Sequence, residues 1–291
     1  MNKTRRIVGF CGLGVSVALA LIWLSGPTWS HPAIDTQIQD LTAKIDGSPT
    51  DANLYLRRGE LHRIHRDWSK AEADYRTSLK LNPQLAIADY CLGRLKLDSG
   101  DPADARVYLD RYLKQRPTDP EGLAARARAL SALGKHNEAA KDFTGAIDNA
   151  PNGAPRPEYF LERARALEAA GPSHIAEALT GLDDGVEQLG EVITLQLYAV
   201  DLELARDNYE GALERLDLIS ARSVRQEPWL VRKATILEAA GREEDARAAY
   251  EQTLASIDSL PSSRRSNKAV TRLEDEAREA LKRLGADKPP E

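Results

Sequence analysis

At 291 residues with a net charge of −5, the chain is long enough for one or two ordinary domains but lacks the basic excess that nucleic-acid binding requires. Aromatic residues make up only 5%, Ala, Leu, Arg and Glu abound, and alternating β-branched runs are scarce, so a strand-built protein is excluded and an all-α one expected. Of the two cysteines, Cys11 lies in the amino-terminal segment; without that segment only Cys91 remains, and no intrachain disulfide can form.

The opening segment has a basic head (Lys3, Arg5, Arg6), an apolar run from Ile7 to Leu24, and a Gly26-Pro27 break before the small residues Thr28 and Ser30. This is the layout of a secretory signal, with the bond after Ser30 the preferred cut. The alternative is an uncleaved inner-membrane anchor over residues 7–24, since 18 apolar residues sit at the lower limit of a span. In both readings the positive head places the rest of the chain outside the cytoplasm, periplasmic or secreted if cut and tethered if not. Cleavage leaves 37 cations against 45 acids, a net charge of −8. Cys11 lies within the apolar run rather than at its end, which argues against lipidation there.

Residues 31–51 read as a lone helix and linker. Ile34, Ile38, Leu41 and Ile45 fall on one helical face, Gly47-Ser48-Pro49 ends the helix, and Thr50 or Asp51 can cap the next. From there to residue 258 the chain divides into six units, about 52–85, 86–119, 120–153, 157–192, 193–226 and 227–258. The clearest is Asp119 to Pro151. Small Ala127 and Ala139 let two short helices approach, Gly134 turns between them, Phe143 fills the gap and Pro151 stops the second. A shift of 34 residues places Ala105 and Ala71 on Ala139, Gly93 and Gly59 on Ala127, Leu109 and Tyr75 on Phe143, and Pro117 and Pro83 on Pro151. Ala178, Ala212 and Ala246 continue the alanine column. The stretches NGAPRP and GPSH lengthen one interval to 39 residues, which marks the expected bend in the stack. Unit four lacks a closing proline, and unit five has Val200 where Gly or Ala is usual. Residues 259–291 hold a polar break, an amphipathic helix from Ala269 to Leu284 expected to cap the stack, and a tail, GADKPPE, expected to be disordered.

Gly or Ala, then Ala, then an aromatic or Leu, then Pro at a period of 34 resembles the tetratricopeptide-repeat (TPR) signature from about Ala52 to Ser256. The resemblance implies a right-handed superhelix of about six helix-turn-helix units, with the extra amino-terminal helix and the carboxy-terminal cap at its ends. It also implies that the first helix of each unit lines a concave groove that holds an extended or helical partner segment. The groove side chains are then Leu56, Glu60 and Arg63; Tyr90 and Arg94; Ala124 and Arg128; Leu161 and Arg165; Leu197 and Asp201; Val231 and Thr235. Arg94, Arg128 and Arg165 stand at one place in three successive units. Either they form a ladder for carboxylates of an acidic segment or chain terminus, or they pair with Glu and Asp of neighbouring helices. Some TPR proteins clamp a chaperone tail with Lys and Asn where this chain has Leu56 and Glu60, so that specificity does not carry over.

No metal, cofactor or catalytic site is expected. His62 and His65 have a chelating spacing but no third ligand, and Arg58, Arg63 and Arg66 around them suit a solvated basic face. Asp98, Asp101 and Asp104 miss the calcium-loop spacing and fit a repeat turn as caps. Asp183 and Asp184 carry no spacing information, and no nucleophile, metalloprotease or phosphate-loop motif is present. The sequence therefore points to a non-enzymatic scaffold in the cell envelope, binding a protein or peptide partner in the groove. The alternative is a membrane-anchored factor that recruits an enzyme complex.

Overall fold

The computed structural model describes residues 32–286 except Glu191. The signal or anchor read in residues 1–30, its cut after Ser30, Cys11 and the last five residues lie outside the described residues. Within them the secondary structure is helical, with no strand. Helix α1 (Pro32–Gly47) precedes six pairs: α2 (Ala52–Ile64) with α3 (Trp68–Leu81), α4 (Ala86–Asp98) with α5 (Pro102–Gln115), α6 (Pro120–Ala132) with α7 (His136–Asp148), α8 (Pro157–Ala170) with α9 (Ile175–Leu189), α10 (Ile193–Ala205) with α11 (Tyr209–Ser220), and α12 (Glu227–Ala239) with α13 (Glu243–Asp258). A short α14 (Ser262–Arg265) and a longer α15 (Lys268–Ala286) follow. The tail expected to be disordered from Gly285 therefore starts as helix. Each helix packs on its neighbour in sequence, which makes the molecule an α-solenoid.

Local chemistry sets the helix ends. Asp101 and Asp119 each accept a backbone N–H at the N-cap, from Asp104 and Gly122, and Pro102 and Pro120 occupy the first helical position, where no intrahelical N–H bond is lost. Within a pair the chain reverses through one residue with positive φ: Gly100 at 82°, Gly134 at 73° and Gly241 at 73°. Arg66 at 62° and Asp207 at 58° occupy the equivalent place, so the geometry of the turn is kept where glycine is not.

The small-residue columns mark where axes meet. Ala71, Ala105, Ala139, Ala212 and Ala246 are wholly buried, and Ala178 nearly so. A Cβ at Gly93 would lie 2.5 Å from Cγ of Leu109, and one at Gly59 2.7 Å from Cε1 of Tyr75, so the first helix rests directly on the side chain that fills the gap. At the long link, where a bend was expected, the stack does not open. Asn152 turns the backbone at φ 56°, Pro155 is buried, and Phe143, Ala146, Tyr159 and Phe160 share one apolar core across the junction. The core changes hands instead along α10, where Leu195, Ala199 and Leu202 belong to the central cluster and Val200 to the carboxy-terminal one.

Both ends of the stack are covered. Leu41 and Ile45 of α1 are buried, and Arg58 bridges α1 to the first pair by donating to Thr42 Oγ1 and, through two nitrogens, to Asp74. At the other end Val270, Ala277, Ala280 and Leu284 of α15 are buried and its remaining face is largely polar. Among the described residues no helix is long and apolar enough to cross a membrane.

Candidate functional site

Successive first helices, α2, α4, α6, α8, α10 and α12, present one side chain after another along a common face, because residues four apart on each share an edge. On that face charge is mostly cancelled between neighbours. Glu60 receives the hydroxyl of Tyr75 at 2.8 Å and the guanidinium of Arg63 at 2.7 Å, and Arg94 stands 3.6 Å away. Burial alone would raise the Glu60 carboxyl, but these hydrogen bonds and cations hold it below the usual carboxylate range. Arg63 also reaches Asp98 of the next unit. Arg128 donates through Nε to both oxygens of Glu162 at 3.0 Å, and Arg232 reaches Asp201. Burial opposes the Arg128 charge, and Glu162 more than restores it.

The three arginines of the expected ladder differ in their partners. Arg94 and Arg128 pair with carboxylates on neighbouring helices, and among the described residues Arg165 alone of the three has no ion pair. Its guanidinium lies over the ring of Tyr198, 5.6 Å from the centroid, and the Tyr198 hydroxyl donates to Glu168. The aromatic and aliphatic positions are half-buried: Tyr90 packs its ring on Tyr112 with centroids 5.2 Å apart, and Leu56, Leu161 and Leu197 lean on the core. Thr235 is exposed. Two positions are corrected. Val231 is 4% exposed and Ala124 fully buried, so neither presents a side chain to a guest. Val231 is withdrawn because it joins the apolar cluster shared by the last pair and α15.

Phe143 of the gap-filling column and several residues that periodicity did not single out complete the site. Ser131, His136, Phe143, Glu162, Ala166 and Ala169 join Arg128 and Arg165 around a hollow of about 250 Å³ between units three and four. At the register place of Ala166 the other units carry Leu61, Leu95, Ala129, Leu202 and Ile236. Nδ1 of His136 is buried there without a hydrogen-bond partner. The hollow thus offers an apolar floor, one unpaired cation and one unsatisfied ring nitrogen.

Elsewhere, His62 is not on a solvated face as expected: it is 7% exposed, 3.6 Å from Asp67, and burial lowers its pKa. Asp101 caps α5 as expected, while Asp98 instead pairs with Arg63. Cys91 is buried and its thiol is pushed up to about 12 by burial, which makes it inert at neutral pH. Among the described residues, no three His, Cys, Asp or Glu side chains form a group that could hold a metal ion.

Fold and face together define an α-solenoid with a side-chain-lined surface along its first helices. A model of the tetratricopeptide repeat matches residues 64–129. Two solved structures share the architecture. YrrB, described as a TPR protein with an unusual peptide-binding site, is 21% identical, with 62% of this chain and 90% of that one covered at a TM-score of 0.52. A tetratricopeptide repeat protein from Parabacteroides merdae ATCC 43184 is 14% identical, covering 85% of this chain and 93% of that one at a TM-score of 0.53. Bacteriophage adsorption protein A of Escherichia coli (strain K12) is 32% identical over 98 residues, 34% of this chain, which spans only 10% of that relative's length. The chain thus carries a tetratricopeptide repeat over residues 64–129 and shares the α-solenoid fold of these repeat proteins.

Proposed function

We propose that this protein is a non-catalytic scaffold of the cell envelope that holds a segment of a partner protein along the first-helix face, with a partner carboxylate on Arg165. The observation that carries this is the contrast along the face. Its other cations at the groove positions are matched by carboxylates, whereas Arg165 is unpaired, exposed and set at the mouth of an apolar-floored hollow. YrrB, of similar architecture, is described as having a peptide-binding site, which supports a peptide as the class of guest.

The test is a fluorescence-polarisation panel of 12-residue peptides, each with a free and an amidated carboxy terminus, titrated onto the protein and onto Arg165→Gln. The expected result is a set of peptides that binds at least about tenfold more tightly with the free carboxylate, an advantage that Arg165→Gln removes, in line with a charge-assisted contact of 1.5–3 kcal/mol. Equal binding of free and amidated forms would remove Arg165 from the site. For location, mass spectrometry of the mature amino terminus decides: a start at His31 supports an exported scaffold, and retention of residues 1–30 in the membrane fraction supports the tethered form.

A further inference from the structure

The carboxy-terminal edge of the stack differs from the first-helix face in how its charge is used. The links from α11 to α12 and from α13 to α15 border a hollow of about 400 Å³ lined by Val224, Arg225, Glu227, Leu260, Arg264 and Val270, among others. None of these residues lines the hollow at Arg165. Val224 is 97% exposed, an apolar side chain standing in water at the rim. Arg264, Arg265, Lys268 and Arg272 follow in a stretch of chain whose nearest preceding acid is Asp258, and none of the four makes an ion pair among the described residues. At the hollow's wall Glu227 is 2% exposed, its Oε2 makes no hydrogen bond, and Arg225 stands 3.7 Å away. In a chain of net charge −5 this is a local reversal of sign beside an exposed apolar rim.

We infer that this edge is a second docking surface, separate from the first-helix face, for an acidic, partly apolar segment of another protein. The occupant's carboxylates match the unpaired cations, and its apolar side chains cover Val224 and Leu260. A basic segment is disfavoured by the four cations and Arg225, and a purely acidic one leaves the apolar wall wet. A flat anionic membrane would meet the cations but not fill the hollow.

The test uses three labelled probes on the full chain: a 12-residue peptide alternating Glu and Leu, a 12-residue peptide of alternating Glu and Gly, and vesicles with 30% phosphatidylglycerol. The expected result is that the Glu/Leu peptide binds at least about fivefold more tightly than the Glu/Gly peptide, and that binding weakens about tenfold in the triple variant Arg264→Gln, Arg265→Gln, Lys268→Gln. Val224→Asp should weaken it as well, and Arg165→Gln should leave it unchanged, which separates this surface from the first. All these side chains are exposed, so unchanged circular dichroism and melting are expected and confirm a folded sample. Equal binding of the two peptides, indifference to the triple variant, or preference for the vesicles would each overturn the inference.

Discussion

Units three and four stand side by side and carry arginine at the same helical place, yet the two arginines have different fates. In unit three, Arg126 donates to Asp142 through Nε at 2.6 Å and Nη2 at 2.8 Å, and reaches Asp110 at 3.1 Å, tying α6 to α7 and to the preceding unit. Unit one repeats the brace with Arg58 and Asp74. In unit four the register places Gly181 where the aspartate should be, and Arg163 fills the space, its Nη1 2.6 Å from where a Cβ would sit. Its Nε is buried without a partner, and only Glu177 is reached, at 3.1 Å. The lesson is that a brace needs two columns on two helices. Where one lapses, the other residue stays behind with unspent hydrogen-bonding capacity, as Arg165 does on the first-helix face of the same unit.

The contrast can be broken most strongly on the regular side. Asp142→Ala should cost about 2–3 kcal/mol in urea denaturation, since a half-buried guanidinium loses a bidentate partner and keeps only Asp110. A loss under about 0.5 kcal/mol would mean the brace is decorative. Next comes Gly93→Ala, which must push Leu109 aside and should cost about 2 kcal/mol, although alanine is the better helix former. Units three, four and six already hold Ala127, Ala164 and Ala234 in that column, each buried, so alanine is accepted where the facing side chain leaves room for its Cβ.

Repairing unit four should act in the opposite direction. Gly181→Asp supplies the missing carboxylate and removes a mid-helix glycine, with an expected gain of about 1 kcal/mol, provided Arg163 swings out of the space it now fills. A melting temperature below that of the parent would show that Arg163 cannot move. The smallest effect concerns pH. Burial lowers the His62 pKa below its unfolded value of about 6.5, so below that pH the unfolded chain takes up a proton the folded chain refuses. Stability should therefore fall as pH drops from about 6.5 toward the lower folded value, and His62→Gln should flatten that part of the profile. A slope that survives the substitution assigns the effect to other groups.

Much of this molecule is set by spacing along the chain. Alanine and glycine at intervals of 34, a capping aspartate before a proline, and a turn residue between short apolar helices suffice to specify the pairs and their order, because each acts within a helix or between sequence neighbours. Even Arg66 and Asp207 occupy the turn register, although neither is glycine. Side-chain pairing is different. Whether Arg94, Arg128 or Arg165 is free depends on carboxylates that lie on other helices, such as Glu162, 34 residues from Arg128, and on the rotation that brings them within 3 Å. Val231 is buried in an apolar cluster that draws on α10, α11, α12, α13 and α15, and the hollow beside Arg165 is lined from two units. The sequence determined the repeating frame because helix pairing is local; only the tertiary structure decided which charges stayed unmatched, because electrostatic pairing follows distance in space and not separation along the chain.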